Sequence, residues 1–180
     1  MIRTMIIAIA AMAISLPATA ADFYLYGGAS RHFAKAEFDD FGSEIEIDDA
    51  WGGGIAFGWD FAAGSALEIL IDGASGEVEG GTQEVASGAI SLNLYFAPRL
   101  GAIQPRIGVG VGAAAIDIED SSEDPEAGLM AQGSAGLMLW LGDHFALGPT
   151  YRYRYIDAPI NGFDAETRDQ IVEVGAKVSF

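Results

Sequence analysis

Catalysis or metal binding needs a nucleophile, a base or a set of ligands, and this chain offers few of them. It has two histidines and no cysteine. His32, in SRHF, has its nearest hydroxyl in sequence at Ser30, on the same face of an extended strand. A hydroxyl and a base within hydrogen-bond reach are the minimum for nucleophilic chemistry. His144, in LGDHF, falls in a short turn, where a polar residue is ordinary. Carboxylates are abundant: 26 Asp and Glu stand against 9 Lys and Arg, for a formal net charge of −17. They gather in AKAEFDDFGSEIEIDD (34–49), DGASGEVEGGTQE (72–84), DIEDSSEDPEAG (117–128) and DAPINGFDAETRD (157–169). Calcium takes several oxygen ligands, so divalent cations are candidate partners of these stretches. The spaced ligand order of an EF-hand is missing, and a solvated charged surface explains the same residues. The acidic balance argues against nucleic acid, whose phosphates need basic partners. No cofactor is implied, and no catalytic activity is expected.

A charge of −17 sits oddly with a mean hydropathy of +0.27 unless charged and apolar residues are segregated along the chain. They are. Residues 1–20, MIRTMIIAIAAMAISLPATA, read as a cleaved secretory signal peptide: Arg3 begins it, an apolar run follows over Thr4 to Leu16, and Ala18-Thr19-Ala20 is an A-x-A site. The run is shorter than the about 20 residues of a spanning helix. The remaining residues, 21–180, are expected to form one domain without disulfides.

Between the acidic stretches lie apolar, glycine-rich segments of period two. WGGGIAFGWDF sets Trp51, Gly53, Ile55, Phe57, Trp59 and Phe61 against Gly, Ala and Asp60. SALEILID sets Leu67, Ile69 and Ile71 against Glu68, Leu70 and Asp72. AISLNLYF, RIGVGVGAAA and TYRYRY alternate similarly, and LMAQGSAGLMLWL less cleanly. With FYLYGGASRHF and the C-terminal segment, eight strands are predicted. The connections near 61–65, 97–102 and 141–144 are short and the acidic ones longer, the pattern of hairpins in an outer-membrane barrel. Each apolar segment is about 10 residues, enough for a tilted strand to cross the hydrocarbon. An open sheet would leave edges that lipid cannot satisfy, so closure is required. The expected fold is therefore all-β: a closed antiparallel eight-stranded up-and-down transmembrane β-barrel.

A soluble barrel would alternate too, with its apolar face inward. Here the polar faces are mostly Gly, Ala and Ser, too poor in charge for a water-facing surface. Inside an eight-stranded barrel there is room only for side chains. The inward charged set is Glu68, Asp72, Arg106, Arg152, Arg154, Glu173 and Lys177, with Arg152 and Arg154 expected near Glu173. Buried charges must pair or neutralise. Such a set reads as a fixed ion-paired plug, or as a gate that swaps partners. Phe23, Trp59, Phe61, Phe96 and Phe145 belong at one rim, with Trp51 and Tyr155 nearer the other, as two aromatic girdles.

The chain ends VEVGAKVSF, with Val174, Ala176, Val178 and Phe180 on one face. This terminal aromatic after alternating apolar residues is similar to the signal read by the bacterial barrel-assembly machinery. With DFYLYGGAS, QPRIGVGVGAA and ALGPTYRYRY, it resembles the small eight-stranded outer-membrane family that includes the OmpA barrel, OmpX and the neisserial opacity proteins. The resemblance implies a monomer in the cell outer membrane of a Gram-negative bacterium, surrounded by lipid and lipopolysaccharide. It implies a structural, surface-exposed role, with an adhesin of the opacity type or a narrow pore for small solutes as alternatives. Some barrels of this kind hydrolyse lipid A, but the H-x-S-N pattern of the deacylases is absent.

Overall fold

The structure, a computed structural model, describes residues 22–38, 43–61, 64–78, 84–118, 127–160 and 163–180. The leader expected over 1–20 lies outside the described residues. Eight strands follow in chain order: β1 (Asp22–Phe38), β2 (Ser43–Phe61), β3 (Ser65–Val78), β4 (Glu84–Phe96), β5 (Ile103–Ile118), β6 (Ala127–Trp140), β7 (Phe145–Ile160) and β8 (Phe163–Ser179). Every sequential pair is antiparallel, and β1 pairs with β8 to close the barrel. The closing seam runs from Tyr24↔Ser179 to Phe38↔Ala165. Phe180 is tied down at its foot, where its N–H donates to the Phe23 carbonyl at 2.9 Å. Each near-end turn places a glycine in the left-handed region: Gly64 (φ 72°), Gly101 (φ 68°) and Gly142 (φ 95°). Side chains other than glycine rarely adopt that conformation.

The strands are 13 to 19 residues long, more than the expected crossing length. The contrast between short turns and long acidic connections is correspondingly misplaced. Segments 39–42, 79–83, 119–126 and 161–162 separate strands at the far end, and these are not systematically longer than the near-end turns. What differs is the strand length beyond the apolar band. Lys35–Phe38 still pairs with Ser43–Glu46, and Asp157–Ile160 with Phe163–Glu166. A period-two pattern survives under the charge: Ala36, Ala158, Ala165 and Thr167 are buried, while Glu37 and Asp157 are exposed. Each further residue in register completes ladder hydrogen bonds at little cost while its acidic side chain stays in water. β6, which seemed irregular in sequence, also alternates, with Met130, Gln132, Met138 and Trp140 inward.

The faces are inverted relative to a soluble protein. Outward Ile55 and Val174 are 70% and 61% exposed, whereas inward Arg152 and Arg154 are each 1% exposed. An apolar band of this size is stable only against lipid. Inward glycines let large neighbours lie flat across the wall. A Cβ on Gly175 would fall 2.1 Å from the Tyr26 hydroxyl oxygen, and one on Gly58 2.1 Å from Cζ of Tyr24. A Cβ on outward Gly133 meets nothing within 4 Å.

These contacts set a paired prediction. Gly175→Ala displaces Tyr26 and lowers unfolding stability by about 1–3 kcal/mol, the range for overpacking. Gly133→Ala leaves stability within about 0.5 kcal/mol, as surface changes do. Urea unfolding of the folded barrel in lipid vesicles measures both.

Candidate functional site

The candidate site is the lumen, because every inward charged residue expected from the sequence is buried there. Alternation sends the side chains in, and register decides who meets whom. Near the lower mouth, Lys177 on β8 pairs with Asp60 at the end of β2, and its ammonium lies 3.9 Å from the Tyr24 ring centroid. Above it, Glu68 on β3 accepts from Tyr24 at 2.9 Å, Tyr95 at 3.2 Å and Arg106 Nη2 at 3.1 Å. The Arg106 guanidinium also sits 4.0 Å from the Tyr95 ring centroid. Higher still, Arg152 donates through Nη1 to Asp72 at 2.5 Å and through Nη2 to Glu173 at 2.7 Å. Arg154 donates to the same Asp72 oxygen, and Tyr26 donates to Glu173.

This arrangement corrects one expectation. Arg154 does not reach Glu173: its partners are Asp72 and, at 3.4 Å, Gln132. Arg154 stands opposite Asp169 on β8, two residues farther up the barrel than Arg152, and Arg152 takes the Glu173 carboxylate. Asp72, from the other side of the barrel, joins both arginines into one network.

The expected set was also incomplete. Asp60 is the partner of Lys177, so four cations (Arg106, Arg152, Arg154 and Lys177) meet four carboxylates (Asp60, Glu68, Asp72 and Glu173), and a fifth buried carboxylate, Asp169, faces His32. The signal was available, since Asp60 shares the parity of Gly54, Ala56 and Gly58. A polar chain of Gln132, Asn93 and Ser91 fills the side opposite β8, with Gln132 donating to Asn93 at 2.6 Å. An uncompensated buried ion costs several kcal/mol, so a lumen of low dielectric demands this cancellation.

His32 lies within the barrel, 1% exposed. Its Nε2 is 2.9 Å from Ser30 Oγ and its Nδ1 is 2.8 Å from Asp169 Oδ2. Nucleophile, base and orienting carboxylate are thus arranged as in a hydrolase relay. Substrate access is what the relay lacks. Ser30 is 2% exposed and does not line the neighbouring cavity of about 30 Å³, which His32, Thr167 and Asp169 border beneath an apolar cap of Ala, Val, Ile and Met side chains. His144 lies in the turn before β7, with Nδ1 3.1 Å from the Ser179 carbonyl oxygen.

The space in the lumen is unevenly distributed. At the lower mouth, Asp60, Arg99, Gln104, Trp140 and Asp143 line an open vestibule of about 320 Å³. Between Tyr26, Glu68, Arg106, Thr150, Arg152 and Glu173 the free volume falls to about 10 Å³. That is at the lower limit for a single water, roughly 10–15 Å³.

The girdle residues sit in two tiers. Phe23 opposes Trp59 at the near end, where Phe61, Phe96, Phe145 and Phe180 also lie. Phe57 meets Trp59 edge-on with ring centroids 4.8 Å apart. Trp51 opposes Arg31, and Tyr155 opposes Arg168, toward the far end. Val174, Ala176, Val178 and Phe180 all point outward, and Phe180 is 70% exposed. Of DIEDSSEDPEAG, residues 119–126 lie outside the described residues. Among the described residues no group of carboxylates and histidines is arranged to hold a metal.

Asp72→Asn removes the shared partner of two arginines, and a cost of about 3–5 kcal/mol is expected, as for breaking a buried ion pair. Glu173→Gln should cost less, because Arg152 keeps Asp72. Equilibrium unfolding in vesicles ranks the two, and equal losses below about 1 kcal/mol would mean a solvated, non-networked lumen.

Solved structures similar to this chain include bacterial surface and outer-membrane proteins. Neisserial surface protein A matches with a TM-score of 0.70 and 15% identity, over 88% of this chain and 97% of that one. The attachment invasion locus protein Ail of Yersinia pestis matches with a TM-score of 0.54 and 13% identity, over 89% and 99%. The outer membrane protease OmpT from Escherichia coli matches with a TM-score of 0.55 and 10% identity, over 92% and 99%. At these identities the likeness shows the fold alone. No curated protein matches the sequence significantly. The model of one family covers nearly the whole chain, residues 6–180, and by it this protein belongs to the outer membrane protein beta-barrel domain family.

Proposed function

We propose that the protein is a sealed, non-catalytic scaffold of the outer membrane, exported with removal of residues 1–20 and inserted as a monomer. The observation that carries this reading is the ion-paired layer between the vestibule and the upper lumen, where free volume drops to about 10 Å³. A pore needs a continuous wet path, and this layer interrupts it with groups whose partners are fixed by hydrogen bonds from three directions. The occluded Ser30 hydroxyl supports the non-catalytic part, although the neighbours include a protease. The outward terminal face of Val174, Ala176, Val178 and Phe180 is available to the barrel-assembly machinery during biogenesis, before β1 and β8 close. The barrel then stands among outer-membrane lipid and lipopolysaccharide.

A second reading, an adhesin, is supported by the long strands. β1, β2 and β8 run 17, 19 and 17 residues and raise an acidic platform above the apolar band. One structure of Ail holds sucrose octasulfate, a heparin analogue. A chain of charge −17 has the wrong sign for such a polyanion, so a basic partner, or divalent cations bridging to another anion, fits this platform better.

Purified protein in planar lipid bilayers should give no conductance steps above the leak of the bare membrane. Reproducible single-channel steps would establish the pore instead and remove the sealed scaffold.

A further inference from the structure

The far half of the lumen is built differently from the ion-paired half below it. Its inward side chains are mostly small and apolar, and they close around the cavity of about 30 Å³ that His32, Thr167 and Asp169 border. A single water needs roughly 10–15 Å³, so this space suits a guest of roughly two or three heavy atoms. Ile116 on β5 and Ile156 on β7 are among its walls, and Ser87 faces it from β4. Farther out, the inward residues Ala36, Ala158 and Ala165 are short, so the approach from the far end is lined by small apolar groups.

The polar floor of this chamber is only half matched. His32 engages Ser30 Oγ and Asp169 Oδ2, and a neutral imidazole with its proton on Nδ1 satisfies both contacts. Asp169 Oδ1 and Thr167 Oγ1 have no hydrogen-bond partner among the described residues, although Asp169 is only 4% exposed and Thr167 2%. A buried acceptor without a donor carries its full desolvation penalty. Arg154 stands opposite Asp169 in the β7–β8 register, but its donors go to Asp72 and Gln132. The charges point the same way. Four lumenal cations meet five carboxylates, and with His32 neutral Asp169 is the carboxylate without a cation. What matches this floor is a small group that carries both N–H donors and a positive charge. A chain of net charge −17, with acidic stretches at this end, concentrates cations at the mouth above it.

We propose that the far half of the lumen binds a small primary ammonium ion, which donates to Asp169 Oδ1 and Thr167 Oγ1 and rests its short alkyl group against Ile116 and Ile156. Hydrogen bonds between an ammonium and a carboxylate are charge-assisted and stronger than neutral ones. A divalent metal ion fits less well, because it takes several oxygen ligands and these walls are largely hydrocarbon. A quaternary ammonium has the charge but no N–H to donate. The inference depends on the closed barrel and not on whether its lumen conducts.

Backbone amide NMR spectra of the folded barrel in lipid nanodiscs test this, with ethylammonium chloride titrated against sodium chloride and tetramethylammonium chloride at equal ionic strength. Saturable shifts at His32, Thr167 and Asp169 are expected with ethylammonium alone. Asp169→Asn should raise the dissociation constant at least about tenfold, and Thr167→Val, which keeps the side chain's shape, about threefold. Asp143→Asn, at the opposite end, should leave it unchanged. Equal shifts with all three salts, no shifts with any, or an unchanged constant in Asp169→Asn would overturn the proposal. So would an imidazolium nitrogen signature for His32 at neutral pH without added amine, since the missing charge would then come from the protein itself. Should Asp169→Asn fail to give a heat-dependent shift on a gel, the salt comparison on the unaltered protein and the Thr167→Val variant decide the question.

Discussion

The pairing of buried charges inside a narrow lumen is the constraint on which this structure depends. Buried charges in the lumen need partners, so four cations and five carboxylates, the fifth being Asp169 against His32, must arrive together from β1, β2, β3, β5, β7 and β8. They do so only if all eight strands are present, in one register and closed. A shift of one residue on β7 would turn Arg152 and Arg154 toward lipid and Tyr151 and Tyr153 inward. The lumen thus fixes the register that the nearly featureless apolar exterior leaves open.

The glycine-rich walls make that lumen possible. An eight-stranded barrel has little room, and tyrosines and carboxylates fit because the strand next to them carries no side chain at that level. Tyr24 lies over Gly58, Tyr26 over Gly175, Tyr95 over Gly108 and Asn93 over Gly110. The phenol hydroxyls are then positioned to donate to Glu68 and Glu173, and each carboxylate is held by an arginine and at least one tyrosine. Stability, register and the narrowing of the lumen follow from the same contacts. The long strands exploit this rigidity, since ladders anchored in the membrane continue into water and carry the acidic residues outward.

Most of the architecture was legible in the sequence because alternation is a local signal. The period-two faces of WGGGIAFGWDF, SALEILID and TYRYRY identified inward and outward residues correctly, down to Glu68 and the two arginines. Alternation was overlooked where charge obscured it: inward Ala36, Ile156 and Ala158 alternate with outward Lys35, Glu37 and Asp157, and the strands run on. Pairings across the lumen were not legible, because they depend on barrel shear and diameter. Arg154 therefore meets Asp72 on β3 rather than the nearer-seeming Glu173, and Asp169 reaches His32 across the seam from 137 residues away. Ser30 and His32 were visible as neighbours on one face, but the third member that completes the relay was not.

The central claim is that the lumenal pairs act as units that hold the closed barrel together. The most direct measurement is a double-mutant cycle on Arg106 and Glu68, using Arg106→Gln, Glu68→Gln and the double variant, with unfolding free energies taken in lipid vesicles. The buried geometry predicts that either single change costs more than half of what both cost together, with a coupling of about 1–3 kcal/mol. Additive effects, within about 0.5 kcal/mol, would mean that the two residues do not depend on each other and would contradict the account.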